Sequence, residues 1–284
     1  MHITVVGTGG RETAFMDFLA DKAELDQVPS TTVREVVEHV TTHNSDLVLI
    51  GPEALLAAGL VDELTRQGIP AVGPTAYAAQ LESSKMFGRW LLASVSAKWH
   101  KAEQDKKPGV IYMPRFKVAR NFPLAEKIIR EWGTSLVIKK DGLHGGKGVD
   151  VASTFERTLR AAEEGVRNEP ILIEEKLSGP ECSLFYLCDG MNTVYFGSAC
   201  DYKTLHAGKD APMTGGMGAD APGHIVDDAL IAYGSILASA IMAEMRELGS
   251  FFKGFLYISF MLVEKDGQVL PYVIEFNVRF GDPE

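Results

Sequence analysis

The chain reads as an α/β protein in two parts: a small doubly wound sheet, then a larger α+β region. Three observations predict this. The first 80 residues alternate short apolar runs with amphipathic segments, as in a βαβα series. Residues 136–151 place a glycine- and lysine-rich turn between two β-branched runs, the pattern of a hairpin flap. Residues 273–279 alternate apolar and polar side chains like a half-buried strand.

In the first part, His2–Val6 is a buried strand that runs into Gly7-Thr8-Gly9-Gly10-Arg11-Glu12 and a helix from Thr13 to about Lys22. A strand, a glycine turn and a helix N-terminus form an anion site. The dinucleotide pattern fails because Glu12 stands at its third glycine, so a phosphate or carboxylate of a small substrate fits better than NAD. Val33, Val36, Val37 and Val40 recur at helical spacing within Thr32–Thr42. Leu47–Ile50 is a buried parallel strand ending at Gly51-Pro52-Glu53; a helix follows over Gly59–Gln67 and a short strand at Ala71-Val72. Ligands of such sheets bind at the C-terminal strand edge.

The second part opens with a helix from Thr75 to about Lys101 and a polar, breaker-rich stretch over Glu103–Gly109. Arg115–Val118 is a strand, Leu124–Trp132 a helix, and the flap follows. Lys139 lies on its first strand and Lys147 at its tip, so the hairpin could close over a polyphosphate. It is no Walker A loop, since Gly148 follows the lysine and a strand comes next. A glycine hairpin with solvated lysines is the bland alternative. Thr154–Val166 is a helix, and Ile171–Glu175 a buried strand. The segment Glu174–Leu177 could offer backbone groups to an adenine edge, with Glu181 accepting from ribose hydroxyls. Strands at Leu184–Leu187 and Thr193–Cys200 enclose Asp189-Gly190. Residues 213–219 form a second glycine loop, and Asp227–Leu248 is a helix whose apolar stripe faces a core. Gly254–Val263 and Gln268–Val278 pair through Asp266-Gly267. On the last strand Glu275, Asn277 and Arg279 share a face. Two oxygen donors about 6.6 Å apart suit a hard cation such as Mg²⁺ bridging phosphates. The arginine suits an anionic substrate.

Composition narrows the function class. With 284 residues the chain suits two or three subdomains, and a net charge of −10 leaves no nucleic-acid footprint. Cys182, Cys188 and Cys200 lack metal or C-x-x-C spacing, as expected of reduced thiols in a cytoplasmic protein. Met1-His2 runs straight into a strand with no signal peptide, and no apolar run reaches the 18 or so residues of a membrane span.

The ordered motifs identify a resemblance. They are residues 7–12, Gly51-Pro52-Glu53-Ala54, Leu81-Glu82-Ser83-Ser84-Lys85, residues 138–143 with Gly146-Lys147-Gly148, residues 214–219, and residues 274–284. Together they resemble glycinamide ribonucleotide synthetase (phosphoribosylamine–glycine ligase), of the ATP-grasp superfamily. The resemblance implies a doubly wound domain over residues 1–80, then an ATP-grasp fold over 81–284 whose α+β subdomains sandwich ATP, with a lid at about 114–177. It implies ligation of glycine to 5-phosphoribosylamine through a glycyl phosphate, in purine biosynthesis. Lys85, Lys139 and Lys147 would hold phosphates, Glu174, Glu175 and Leu177 the adenine, and Glu181 the ribose. Glu275 and Asn277 would bind Mg²⁺, or Mn²⁺ in its place. Gly9, Gly10, Arg11, Glu12, Gly215, Gly216, Met217, Gly218, Arg279 and Asp282 would face the substrates, with Arg279 and Lys147 in catalysis.

Departures stand beside the matches. The family's Arg-Glu-His is Arg11-Glu12-Thr13 here, and the second strand with its loop shrinks to Glu24–Thr31. The chain stops at Glu284, where the family continues into a further C-terminal domain. A fragment, a reduced (viral or otherwise divergent) natural form, and a site completed by a partner chain are all open. So are a ligase for another amine or amino acid and an idle nucleotide-binding module.

Overall fold

The computed structural model describes residues 1–29, 31–102, 110–145, 148–152, 154–202 and 217–282. The N-terminal part alternates β1 (His2–Val6), α1 (Gly10–Leu19), β2 (Glu24–Val28), α2 (Val33–His43), β3 (Leu47–Ile50), α3 (Glu53–Ala57), α4 (Leu60–Arg66) and β4 (Ala71–Val72). Its strands are all parallel, in the order β2-β1-β3-β4. The valine periodicity of α2 buries Val36 and Val40, and Thr32 caps the helix by accepting from the Glu35 N–H. Helix α1 starts at Gly10, three residues before the expected Thr13, so the glycine turn itself forms its first turn.

The expected long helix after residue 75 is two helices, α5 (Gln80–Ser83) and α6 (Lys85–Ala102). The break at Ser84 has a tertiary cause. The Asp141 carboxylate accepts from the Met86 N–H at 3.1 Å and from the Ser84 hydroxyl, capping α6 from the base of the flap.

A four-stranded sheet with two helices, the region expected to be the lid, follows: β5 (Phe116–Ala119), α7 (Phe122–Trp132), β6 (Leu136–Lys140), β7 (Val149–Ala152), α8 (Phe155–Gly165) and β8 (Ile171–Glu175), with antiparallel order β5-β8-β6-β7. The larger sheet comprises β9 (Glu181–Asp189), β10 (Thr193–Asp201), β11 (Ala219–Asp220), then α9 (Asp228–Glu247), β12 (Lys253–Lys265) and β13 (Gln268–Asn277). Its order is β11-β10-β9-β12-β13, antiparallel throughout. The Asp266-Gly267 turn has φ of 52° and 76°, the two positive values that match a two-residue hairpin to strand twist.

Two cores hold these layers. One runs from the N-terminal sheet through α5 and α6 to β9, β12 and α9; the other lies inside the lid, between its sheet and helices α7 and α8. Helix α9 corrects the expectation that no span-like run exists. Over 20 residues, with mean hydropathy 1.3 in its best window, it is long and apolar enough to cross a membrane. Yet Leu237, Ile241, Met242 and Met245 are buried in the first core, which explains the apolar sequence. Ile236 on the same helix is exposed.

Candidate active site

The site is built around an irregularity in β13. Phe260 pairs with Val273 and Ser259 with Glu275, so Ile274 is an extra residue and the strand bulges there. Strict alternation would send Ile274 and Phe276 into the core. Instead Val273 and Phe276 are buried, and Ile274 is half-buried. The cause is Arg89, on α6. This buried guanidinium donates to the carbonyls of Val273 (2.9 Å) and Ile274 (2.7 Å), and the Lys139 ammonium donates to Ile274 at 3.2 Å. Helix α6 approaches closely because Gly88 has no side chain: a Cβ there would lie 3.3 Å from the Phe276 ring.

Both cations also meet Glu174 on the lid strand β8. Arg89 makes a two-pronged pair with its carboxylate, and Lys139 lies 2.8 Å from Oε2. Burial opposes ionisation of Glu174, but the two positive neighbours outweigh it and hold the carboxyl down at about 2. Lys85, the first residue of α6, donates to the Gly142 carbonyl at 2.8 Å. Burial is the main cause lowering its pKa, Lys139 adds to the fall, and Glu275 is near enough to oppose it. Lys85, Lys139 and Glu275 therefore lie in one electrostatic neighbourhood. Within the flap turn, His144 Nε2 sits 2.6 Å from the Asp141 carbonyl and 2.9 Å from Glu169.

A second group of charges joins the two parts of the chain. Arg279 reaches Glu82 at 2.9 Å, Asn277 Oδ1 at 3.3 Å, the Phe280 carbonyl at 2.9 Å and Glu53 at 3.5 Å. Burial raises the Glu82 pKa, against the pull of Arg279 and of the Val278 N–H that Glu82 accepts. Arg11 donates to the Phe280 carbonyl at 2.8 Å and to Glu12 at 2.6 Å. Glu12 is buried and also accepts from the Gly9 N–H at 2.5 Å, so its carboxylate braces the loop from inside. That bracing requires Gly51, whose missing Cβ would overlap a Glu12 carboxylate oxygen. The N-terminus of α1, expected to receive an anion, has Asp282 against it. A Cβ on Gly9 would lie 2.7 Å from one Asp282 oxygen, and one on Gly10 3.0 Å from the other. Beside Arg279 opens a cavity of about 360 Å³ walled by Phe185, Phe196, Phe255, Tyr257 and Pro222.

The expected residues thus fall into three sets. Lys85, Lys139, Glu174, Glu275, Asn277 and Arg279 are brought together around β13, and Gly9, Gly10, Arg11, Glu12 and Asp282 around α1. Glu175 gives its carboxylate to the Arg115 N–H at 2.8 Å, Leu177 is half-buried beyond the end of β8, and Glu181 opens β9. Met217 is exposed, and a Cβ on Gly218 would meet open space. Lys147, Gly215 and Gly216 lie outside the described residues. Glu275 and Asn277 supply a carboxylate and an amide oxygen, donors of the hard type that Mg²⁺ takes. Sequence reasoning missed Arg89, and it named Asp141, Glu53 and Glu82 only within motifs, with no role. The signal for Arg89 was its position four residues after Lys85, on the same helix face.

Residues 1–82 match the phosphoribosylglycinamide synthetase N domain, and residues 97–284 the ATP-grasp (A) domain of the same synthetase. The phosphoribosylamine–glycine ligase of Brucella melitensis is 36% identical over 309 residues, covering 100% of this chain and 68% of that protein. The crystal structure of the phosphoribosylamine–glycine ligase of Thermotoga maritima superposes with a TM-score of 0.79 at 27% identity, over 100% of this chain and 70% of that one. D-alanine–D-alanine ligase of Bacillus anthracis shares the fold alone, with a TM-score of 0.63 at 17% identity over 99% of this chain and 87% of its own.

Proposed function

The chain belongs to the phosphoribosylglycinamide synthetase family of ATP-grasp carboxylate–amine ligases, and from that membership we propose that it joins glycine to 5-phosphoribosylamine at the expense of ATP. In this reading a glycine carboxylate oxygen bonds to the γ-phosphorus as the bond to ADP breaks. The amine nitrogen then attacks the acyl carbon, phosphate leaves, and the amine loses a proton. Mg²⁺, held by Glu275 and Asn277, would neutralise charge on the phosphates.

The observation that carries the reading is the convergence of Lys85, Lys139 and Glu275 on the bulged end of β13. Lys85 and Lys139 bind and orient the phosphate chain, with Lys147 as a third cation. Arg89 and Glu174 hold Lys139 and the bulge in place, so the cations are arranged before substrate arrives. Glu175, Leu177 and Glu181 line the path expected for adenosine. Arg279 and the aromatic cavity beside it receive the acid and the amine, and the glycine turn around Asp282 closes that side. The three buried free cysteines suit a cytoplasmic setting.

The test is ADP release from MgATP with glycine, with and without 5-phosphoribosylamine. The expected result is ADP, phosphate and glycinamide ribonucleotide in equal amounts, dependent on both substrates. ATP binding without turnover would overturn the assignment. Turnover only with a different amine would leave the ATP chemistry standing and change the substrate.

A further inference from the structure

The N-terminal sheet carries a second cluster of donor groups, away from the site just described. His2 opens β1, whose other end delivers Gly7 to the active-site loop. Asp26 lies on the edge strand β2, and His39 and His43 stand one turn apart on α2. Asp26 Oδ2 is 2.6 Å from His39 Nε2 and 3.7 Å from His2 Nε2. One donor atom each from Asp26, His39 and His43 all lie within 4.8 Å of one another. The two helix imidazoles stack with centroids 3.9 Å apart.

The hydrogen bonds around the cluster orient the rings. His43 Nδ1 sits 2.8 Å from the His39 carbonyl, and His2 Nδ1 sits 2.9 Å from the His43 carbonyl. A carbonyl only accepts, so both Nδ1 atoms carry hydrogen and each neutral ring keeps its lone pair on Nε2. A backbone carbonyl on one ring nitrogen is the arrangement that fixes the tautomer of a metal-ligating histidine. A simple Asp26–His39 ion pair would need neither of the other two imidazoles.

We infer that Asp26, His39 and His43, with His2 drawn in from outside their 4.8 Å group as the fourth donor, form a binding site for a late first-row divalent cation, with Zn²⁺ as the fitting example. Imidazole with a single carboxylate suits this class, whereas the oxygen pair Glu275 and Asn277 suits Mg²⁺. A tetrahedral ion bound at about 2.0–2.1 Å sets its donors about 3.3 Å apart. The Asp26–His39 contact therefore opens slightly on binding, while the wider spacings contract. The bound ion would clip the edge strand β2 to α2.

The test uses the untagged full chain, stripped with a chelator and titrated with Co²⁺ alone. The expected result is a single equivalent with the intense visible bands of tetrahedral cobalt, displaced by Zn²⁺, and a melting temperature raised by Zn²⁺. His39→Ala and His43→Gln should each weaken Co²⁺ binding by at least about 100-fold. His43 is exposed, so its variant should keep the native circular dichroism and MgATP binding. A weak octahedral spectrum alone, or tetrahedral bands that survive both substitutions, would overturn the assignment. A near-ultraviolet thiolate band lost in Cys200→Ser would do the same, placing the ion on Cys200, Asp220 and His224, whose donor atoms also cluster within 4.8 Å.

Discussion

At the scale of single residues, charge does more than shape in this molecule, and two substitutions separate its effects. Glu275→Gln keeps the size of the side chain and an oxygen on the bulged strand. It removes the anion that would hold a hard cation and that opposes the fall of the Lys85 pKa. Ligation should drop by about a thousandfold or more, since the loss of metal-centred charge stabilisation is worth several kcal/mol. Melting of the chain without nucleotide should barely move, while stabilisation by MgATP should vanish. Turnover above about a tenth of wild type would place the metal elsewhere. Glu174→Gln behaves in the opposite way. It leaves Arg89 and Lys139 buried beside a neutral amide, which should cost about 3–5 kcal/mol in a denaturant titration. The Glu174 carboxyl falls from 4.5 to about 2 on folding, so its stabilising contribution is present above the unfolded value and fades as pH drops from about 4.5 to about 2. Acid unfolding followed by tryptophan fluorescence should show a shallower slope in that window for the glutamine variant. An unchanged slope would mean that the pair does not stay closed in solution.

At the scale of elements, close approach is the recurring device. Helix α6 can cap on Asp141, lie against Phe276 and deliver Arg89 because Gly88 leaves room. The β3–α3 loop can wrap the Glu12 carboxylate because Gly51 leaves room. Gly51→Ala should therefore force Glu12 off the Gly9 N–H and Arg11, costing about 1–3 kcal/mol as an overpacked core site. It should also cut turnover, because the Gly9–Glu12 turn that Glu12 braces carries Arg11 and packs against Asp282. A variant with wild-type melting temperature and rate would show that the loop relaxes freely.

At the scale of the whole molecule, the two cores predict how the chain comes apart. The N-terminal sheet and the large sheet share one core, which includes Val6 and Ile50 of the first, Ala78, Ala79 and Leu81, and Leu184, Ile258 and Phe276 of the second. Arg279 and Arg11 add polar ties across the same seam. These parts should unfold as one cooperative unit. The lid has its own small core, joined to the rest through Arg89, Lys139, Glu174 and the Asp141 cap. Native-state hydrogen exchange should show β5, β6 and β8 opening at lower free energy than β9 and β12, with MgATP closing the gap. Equal protection in both sheets without nucleotide would refute an independently opening lid.

Much of this was written in local patterns. Continuous apolar runs marked β1 and β3, a 3.6-residue period marked α2, and Asp266-Gly267 with period-two alternation marked the β12–β13 hairpin, because side-chain direction repeats with backbone geometry. Glycine next to charge marked the loops at residues 7–12 and 51–53. The remainder depended on contacts between distant segments. The helix break at Ser84 comes from a carboxylate 57 residues away. The displaced alternation at Ile274 comes from an arginine 185 residues away. Glu12 and Glu174 read as surface or ligand groups until folding buries them against Gly51 and Arg89. A carboxylate's role is set by the partners and dielectric that surround it, and those neighbours come from other parts of the chain.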